Sequence, residues 1–182
     1  MGAMAAISED DFREISNYAI QVYCQDFPAF SDRISIEKLS ARSVAAISEW
    51  PDVADAKDGY GRWDWTAIYF DRRKSKFINF SISLDGVIEG VVSARIEASN
   101  IAIEFIQRKG GSDAMKGRIT PIAVLLSAVF AYTKELSTVS IDKPAPFIVD
   151  YYKTYLSGYS LELHDELVTK IITRVENIIR PQ

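Results

Sequence analysis

The spacing of apolar residues is helical over the first part of the chain. Over 7–23 apolar side chains recur every three or four positions, which predicts an amphipathic helix, and Ser8 suits its N-cap. A second helix is predicted over 35–46. Residues 63–73 alternate like a strand, but Asp64 can also cap a short helix, and the helix is the favoured prediction there. The inward-facing positions of the second helix would be Ile36, Leu39, Val44 and Ile47.

In the middle of the chain, apolar stretches separated by turn signals predict β-strands. Three such stretches run over 77–84, 87–97 and 101–107. Asp85-Gly86 between the first two is a strong hairpin signal, and Ser99-Asn100 makes the second turn. The three stretches therefore predict an antiparallel meander.

A long apolar helix follows a polar loop. It is predicted over 120–136, with Thr120 as the N-cap and Pro121 at the first helical position. Shorter elements then follow in the order strand, helix, strand, over 139–142, 147–156 and 159–163.

The end of the chain again has a helical repeat. Leu167, Ile171 and Val175 fall on one side of a helical projection, together with Ile178 or Ile179. An amphipathic helix is therefore predicted over 165–180.

Together these elements predict an α+β (α/β) chain with a mixed, mostly antiparallel central sheet flanked by helices and an added C-terminal helix. Residues 1–4 resemble an expression remnant, so one domain is predicted over 5–182. Within it, 5–75 would supply the N-terminal helices and an acidic loop, 76–164 the core, and 165–182 the C-terminal helix.

Composition excludes several classes of function. Cys24 is the single cysteine and His164 the single histidine, which leaves no disulfide framework and no multi-histidine metal centre. The net charge of -4 argues against broad nucleic-acid binding. No apolar run is long enough to span a bilayer, so we expect a cytoplasmic protein without membrane contact.

The start of the long apolar helix has the character of an anion site. Lys116 and Arg118 flank Gly117 directly before the helix. A helix N-terminus presents unpaired backbone N–H groups and a partial positive charge, and both favour a phosphate. The alternative is a solvent-exposed loop with an ordinary glycine and solvated cations.

From about 78 to 163 the chain resembles the GNAT superfamily of acyl-CoA-dependent N-acyltransferases. The resemblance rests on Ile-Ala-Ile-Glu-Phe-Ile-Gln-Arg over 101–108 as the central strand and on Lys-Gly-Arg-Ile-Thr-Pro-Ile-Ala over 116–123 as the pyrophosphate loop. It also rests on the tyrosine-containing segment 150–159, which precedes the last part of the core.

This resemblance implies acetyl-CoA as a co-substrate and transfer of its acetyl group to a primary amine by direct attack. The backbone N–H groups of Ile106 and Gln107 would bind the acyl carbonyl, and Tyr152, or else its neighbours Tyr151 or Tyr155, would protonate the departing thiolate. The other residues expected to bind acetyl-CoA are Arg108, Lys116, Gly117, Arg118, Ile119 and Thr120.

Two further groups are candidates for the acceptor side. Glu104 lies in an otherwise apolar strand, and burial would make its carboxylate a stronger base for the acceptor amine. The alternative for Glu104 is a solvent-facing strand position. Trp63 and Trp65, with the acidic segment 52–58, could bind an ammonium group, or the tryptophans could simply pack helices against the sheet.

Three functions remain open at this point. The first is an N-acetyltransferase acting on an amine-bearing small molecule or protein. The second is a non-catalytic or partner-regulated binding module of the same fold, and the C-terminal helix could then form a homodimer or bind a partner protein. The third is a toxin-like acetyltransferase acting on aminoacyl-tRNA, although the acidic balance makes nucleic acid an unfavoured partner.

Overall fold

The computed structural model of the chain describes residues 7–51 and 63–179. The segment 52–58, which we expected to contribute acidic groups to the acceptor side, therefore lies outside the described residues. The strands are β1 (Ile34–Lys38), β2 (Phe77–Leu84), β3 (Val87–Ile96), β4 (Asn100–Arg108), β5 (Thr138–Asp142), β6 (Ser160–His164) and β7 (Leu167–Arg174). The α-helices are α1 (Glu9–Asp26), α2 (Ala41–Ser48), α3 (Trp65–Asp71), α4 (Ile119–Thr133), α5 (Val149–Lys153) and α6 (Val175–Ile178).

The seven strands form one sheet in the order β1-β2-β3-β4-β5-β7-β6. β4 and β5 pair in parallel, and every other neighbouring pair of these strands is antiparallel. The parallel pair needs a crossover connection, and α4 supplies it. The expectation of a mixed, mostly antiparallel sheet flanked by helices is thus confirmed.

α4 is the centre of the main hydrophobic core. Twelve of its fifteen residues are buried, because α1 covers one side and the sheet the other. Its first residue, Ile119, packs directly on Gly90 of β3, where a Cβ atom would lie 2.8 Å from Ile119 Cγ2. The start of α4 is therefore fixed against the sheet by the absence of a side chain at Gly90.

A second, smaller core lies on the opposite face of the sheet. α2 and α3 contribute Val44, Ile47 and Trp65, which pack against Val91 of β3 and the partly buried Phe105 of β4. Ser40 caps α2 and Asp64 caps α3, the latter as predicted. The sheet is thus covered by helices on both faces.

The helix predicted over 35–46 is wrong in its first half. Ile34–Lys38 is the edge strand β1, and α2 begins only at Ala41. In the strand, the buried Ile34 and Ile36 alternate with less buried residues. Ile36 and Leu39 are three positions apart, so the same segment also fits a helical spacing. Pairing with β2 decides between the two periods, and that pairing is not visible in the local sequence.

The long C-terminal helix predicted over 165–180 is also wrong. Asp165 and Glu166 both have positive φ, 48° and 66°, and form a tight two-residue turn between β6 and β7. The β7 segment is rich in β-branched residues, which favour a strand, and it pairs with β5 on one side and β6 on the other. Only Val175–Ile178 is helical in this part of the described chain. The long helix that we expected to form a homodimer or bind a partner protein is therefore not present in the described residues.

Two other boundaries shift. α4 begins at Ile119 with Arg118 at the N-cap, so Thr120 lies inside the first turn and is not the cap. The helix expected over 147–156 is shorter and consists of a 3-10 turn, Pro146–Ile148, followed by α5.

Candidate active site

β4 separates from β5 about halfway along β4, near the end of β5. Their pairing runs from Asn100 opposite Thr138 to Ile103 opposite Ile141 and goes no further. At that level β4 carries a β-bulge, because Ala94 of β3 lies opposite Ile103 whereas Ser93 lies opposite Phe105. Glu104 is the extra residue. The bulge turns β4 away from β5 and opens a gap in the sheet.

A cavity of about 180 Å³ occupies this gap. β4 forms one wall and the end of β5 with the following loop forms the other, while α5 and Trp63 complete the lining. The residues that line it are Trp63, Ile103, Glu104, Ile106, Gln107, Arg108, Ile141, Asp142, Lys143, Pro144, Ala145, Phe147, Ile148 and Tyr152. Most of them are apolar, so a few polar groups define its chemistry.

The hydrogen-bond ladder determines which backbone groups of β4 face the gap. Lys109 N–H donates to the carbonyl of Glu89 at 2.8 Å, and hydrogen-bonded pairs alternate with non-bonded pairs along an antiparallel ladder. Gln107, opposite Val91, therefore points its N–H towards β3. The N–H groups of Ile106 and Arg108 point towards the gap, so Ile106 fits the expected oxyanion donor and Gln107 does not.

The side chain of Gln107 has a different role. Its Oε1 accepts a hydrogen bond of 2.7 Å from Trp65 Nε1. Trp65 is only 3 % exposed and packs in the smaller core. The expectation that Trp65 receives an ammonium group is therefore wrong, because its ring has no accessible face. Trp63 does line the cavity, with its ring edge-on to Phe105 at 4.9 Å between centroids.

Glu104 lines the cavity, but cations already surround its carboxylate. It pairs with Arg72 through Oε2, and its Oε1 lies 3.3 Å from Arg95 Nη2. The Glu104 side chain is 17 % exposed. An acceptor ammonium would have to compete with two guanidinium groups for this carboxylate. The sequence could not show the pairing with Arg72, which is 32 positions away along the chain.

Asp142 is a second carboxyl group at the cavity, and the sequence pattern did not identify it. It follows Ile141, the last residue of β5 paired with β4. Ser140 Oγ donates to Asp142 Oδ1 at 2.8 Å, and Lys170 Nζ lies 3.6 Å from the same oxygen. Burial raises the pKa of Asp142 above its usual value. Its position between a strand and Lys143-Pro144 is the signal that could have identified it.

The pKa of Glu97, a neighbouring carboxyl group, shifts in the opposite direction to that of Asp142. Burial alone would raise the pKa of Glu97, but a hydrogen bond of 2.8 Å from Asn100 Nδ2 and the nearby Lys170 and Arg95 lower it. Two neighbouring carboxyl groups with opposite shifts are typical of sites that separate acid and base roles. Asp142, which lines the cavity, has the more basic carboxylate.

Tyr152 is the one tyrosine of α5 and its C-terminal turn that lines the cavity. It is 9 % exposed, and burial raises the pKa of its hydroxyl to about 12. The hydroxyl has no hydrogen-bond partner among the described residues, and it stays protonated at neutral pH. Tyr151 and Tyr155 do not line the cavity, and the Tyr155 hydroxyl instead donates to the carbonyl of Gly117, near the start of α4, at 3.5 Å.

The start of α4 presents unpaired donors. Gly117 has φ of 72°, a conformation that favours glycine. The N–H groups of Gly117, Ile119 and Thr120 donate to no oxygen within 7–51 and 63–179, and Pro121 has no N–H. Lys116 is 72 % exposed and lies 3.9 Å from Asp113. This loop therefore offers backbone donors and one accessible cation to an anion.

Arg118 and Arg108 hold the loop in place. Arg118 Nη1 donates to Tyr23 Oη at 3.0 Å, and its guanidinium carbon lies 4.7 Å and 4.4 Å from the ring centres of Phe27 and Phe30. It thereby joins α4 to the end of α1. Arg108 donates to the carbonyl of Ser112 and shapes the loop itself. In this conformation neither guanidinium is free to bind a phosphate with all its donors.

Among residues 7–51 and 63–179, no helix is long and apolar enough to cross a membrane. Within the same residues, no three histidine, cysteine or acidic side chains cluster as metal ligands would.

Comparison with known proteins gives structural matches only. No family model matches the sequence, and neither does any curated protein. The PaiA N-acetyltransferase from Thermoplasma acidophilum in complex with coenzyme A is 14% identical, with a TM-score of 0.54, covering 78% of this chain and 98% of that chain. The spermidine N-acetyltransferase SpeG from Vibrio cholerae is 12% identical, with a TM-score of 0.58 and coverage of 82% and 98%.

A toxin of the same fold is also similar. The AtaT toxin, bound to the C-terminus of the antitoxin AtaR and acetyl-CoA, is 7% identical, with a TM-score of 0.54 and coverage of 80% and 96%. These likenesses extend over most of each protein. The chain therefore has the fold of the GNAT N-acetyltransferases, as the sequence resemblance implied.

The opposite pKa shifts of Asp142 and Glu97 predict opposite effects of pH on stability. The pKa of Asp142 is raised above 3.8 in the folded protein. At low pH this carboxyl group therefore adds to the free energy of unfolding, and the addition is lost as the pH rises through the folded-state pKa. The pKa of Glu97 is lowered from 4.5 in the folded protein. Above pH 4.5 this carboxylate therefore adds to the free energy of unfolding, and the addition is lost as the pH falls through the folded-state pKa. Between pH 3 and 7, and relative to wild type, the unfolding free energy of Asp142→Asn should therefore increase as the pH rises above 3.8, whereas that of Glu97→Gln should decrease as the pH rises towards 4.5 and then level off.

Urea unfolding of the two variants and of the wild type across that pH range measures both trends. The two variants serve as each other's control, because each removes one negative charge from the same network. Parallel trends in the two variants would contradict the assigned shifts.

Proposed function

We propose that the protein is an N-acetyltransferase that transfers an acetyl group from acetyl-CoA to a primary amine by direct attack. The observation that carries this proposal is the gap between β4 and β5, in which Ile106 and Tyr152 line one cavity. An extended thioester arm suits such a gap, and its phosphates would lie at the unpaired N–H groups of Gly117, Ile119 and Thr120. The GNAT fold and the coenzyme A complexes of similar structures support the same assignment.

The groups on the cavity wall suit the steps of an acyl transfer. Ile106 N–H would donate to the carbonyl oxygen as negative charge develops on it. The amine nitrogen forms a bond to the carbonyl carbon, and the carbon–sulfur bond breaks. Tyr152, with a pKa of about 12, would donate a hydrogen bond to the departing sulfur, because it keeps its own proton at neutral pH.

Asp142 is our choice for the group that takes the amine proton, directly or through a water. Burial makes its carboxylate more basic than an ordinary aspartate, and it lies where the two strands begin to diverge. Glu104 remains the second candidate. Its pairing with Arg72 and Arg95 favours a positioning role in which it holds the bulge, although it also lines the cavity.

A non-catalytic or partner-regulated module is the alternative. The specific observation in its favour is the position of Arg118, which packs between two phenylalanine rings and leaves Lys116 as the accessible cation of the 116–118 turn. An acceptor of the aminoacyl-tRNA type is a further alternative, supported by the similarity to a toxin. Acetyl-CoA binding separates the module from both enzymes.

Lys116→Ala should weaken acetyl-CoA binding about fivefold, since an exposed ion pair contributes about 1 kcal/mol. Isothermal titration calorimetry of acetyl-CoA measures the effect. Lys134→Ala is the matched control, because Lys134 is an exposed lysine at the opposite end of the same helix. It should bind acetyl-CoA as the wild type does.

Absence of acetyl-CoA binding to the wild-type protein would contradict the enzyme and support the module. Equal weakening in both lysine variants would place the phosphates away from the start of α4.

Tyr152→Phe should lower kcat about 100-fold and leave acetyl-CoA affinity unchanged, because it removes one hydroxyl that acts only as the sulfur departs. Release of free thiol, followed with a thiol reagent during a screen of amines, measures the rate. Tyr151→Phe is the control, since Tyr151 lies on the same helix but does not line the cavity. A Tyr152→Phe variant with the wild-type rate would exclude this role.

A further inference from the structure

A second cavity, of about 320 Å³, lies where the C-terminal end of α3 meets the end of β1 and the start of β2. Four cationic residues line it, and no carboxylate does. They are Lys38, Arg72, Arg73 and Lys74. Such a concentration of positive charge is unusual in a chain with a net charge of -4.

Only half of this positive charge is compensated. Lys38 Nζ lies 3.0 Å from Glu9 Oε1, and Arg72 pairs with Glu104. Arg73 instead stacks on the Phe70 ring, 4.7 Å from its centre. Arg73 and Lys74 have no carboxylate partner in the part of the chain that the structure describes. The cavity therefore carries about two positive charges without a counter-charge.

Backbone donors border the same cavity. The N–H groups of Arg73, Lys74 and Ser75 make no hydrogen bond to an oxygen of the described residues. All three residues line the cavity, and Ser75 adds a hydroxyl. Consecutive N–H groups together with guanidinium and ammonium groups are the donors that bind phosphate oxygens. A carboxylate has two oxygens and one charge, so a phosphate monoester, with three free oxygens and nearly two charges, satisfies more of these donors.

Arg72 separates this cavity from the candidate active site. Its guanidinium lies 4.7 Å from the ring centre of Phe77 and 4.6 Å from that of Phe105, so it is fixed between the two. Arg72 lines the second cavity, while its partner Glu104 lines the first. A ligand that reaches from one cavity to the other would therefore pass this ion pair.

We propose that the cavity at 72–75 is a phosphate-binding subsite, and, on the basis of the proposed function, that it binds the phosphate end of an acceptor whose amine enters the gap between β4 and β5. The acceptor would thus be a small molecule that carries a primary amine and a phosphate monoester. It binds on the α3 side of the sheet, apart from the start of α4 where the phosphates of acetyl-CoA are expected.

The first test is binding of inorganic phosphate at constant ionic strength, with chloride as the balancing anion. Nuclear magnetic resonance should show saturable shifts of the backbone amides of Arg73, Lys74 and Ser75. Arg73→Gln/Lys74→Gln should weaken this binding at least tenfold. Arg13→Gln/Lys134→Gln, which removes two exposed positive charges elsewhere, should bind phosphate as the wild type does.

Absence of saturable shifts, or equal losses in the two double variants, would overturn the subsite. A single-stranded RNA that binds with similar losses in both double variants would also overturn it, in favour of diffuse attraction to a basic surface. Acetyl-CoA affinity, measured on the same variants, should not change, so failure of the proposed enzyme activity is distinguished from failure of this subsite.

The second test concerns the acceptor. A series of ω-aminoalkyl phosphates of increasing length is compared with the corresponding ω-amino alcohols, in the presence of acetyl-CoA. At the optimal length the phosphate should raise kcat/KM at least tenfold, and Arg73→Gln/Lys74→Gln should abolish this preference while amino alcohols react as before. Phosphate binding without any such preference would overturn the acceptor assignment and leave an anion site of another role.

Discussion

The loss of strand pairing beyond Ile103 and Ile141 determines where this molecule can bind a ligand. Inside a sheet, backbone N–H and C=O groups are normally bonded to a neighbouring strand, and unpaired groups need other partners. Here the extra residue Glu104 turns β4 away, and the N–H groups of Ile106 and Arg108 face a gap instead of a strand. A ligand with a carbonyl oxygen can take the place of the missing strand.

The ion pairs around the bulge explain how the opening stays in one shape. Arg95 Nη2 lies near three carboxyl groups, 2.8 Å from Glu97, 3.3 Å from Glu104 and 3.7 Å from Asp142. Breaking such a partly buried network by removing one member leaves an uncompensated charge. The network therefore holds the bulge on β4 and the end of β5 together, although no backbone pairing joins them there. Burial raises the pKa of Asp142 within this network, so its carboxylate is more basic than that of its neighbour Glu97.

Local patterns in the sequence predicted the parts of the fold that depend on short-range interactions. The meander follows from three apolar stretches and from the turn signal Asp85-Gly86, and the buried helix α4 follows from its continuous apolar run. β1 and β7 were misassigned because their apolar residues also fit a helical spacing, and pairing with distant strands decides their conformation.

The candidate site is also predicted only in part. Ile106 and Tyr152 line the cavity, and the family resemblance had implied roles for both positions. Asp142 has only a local signal, its place between a strand and Lys143-Pro144. The pairing of Glu104 with Arg72 joins segments distant along the chain, so no pattern in the sequence revealed it. Trp65 and Arg118 were expected to meet ligands, yet packing against Phe105 and against Phe27 and Phe30 engages them.

The most direct test of the account is residue-resolved amide hydrogen exchange with and without saturating acetyl-CoA. We expect exchange to slow at Ile106 and Arg108, whose N–H groups face the gap, and at Gly117, Ile119 and Thr120. Gln107, whose N–H points towards β3, should change little and serves as the internal reference. Equal slowing across β4, or protection confined to other parts of the chain, would contradict the claim that the divergence of β4 and β5 creates the site.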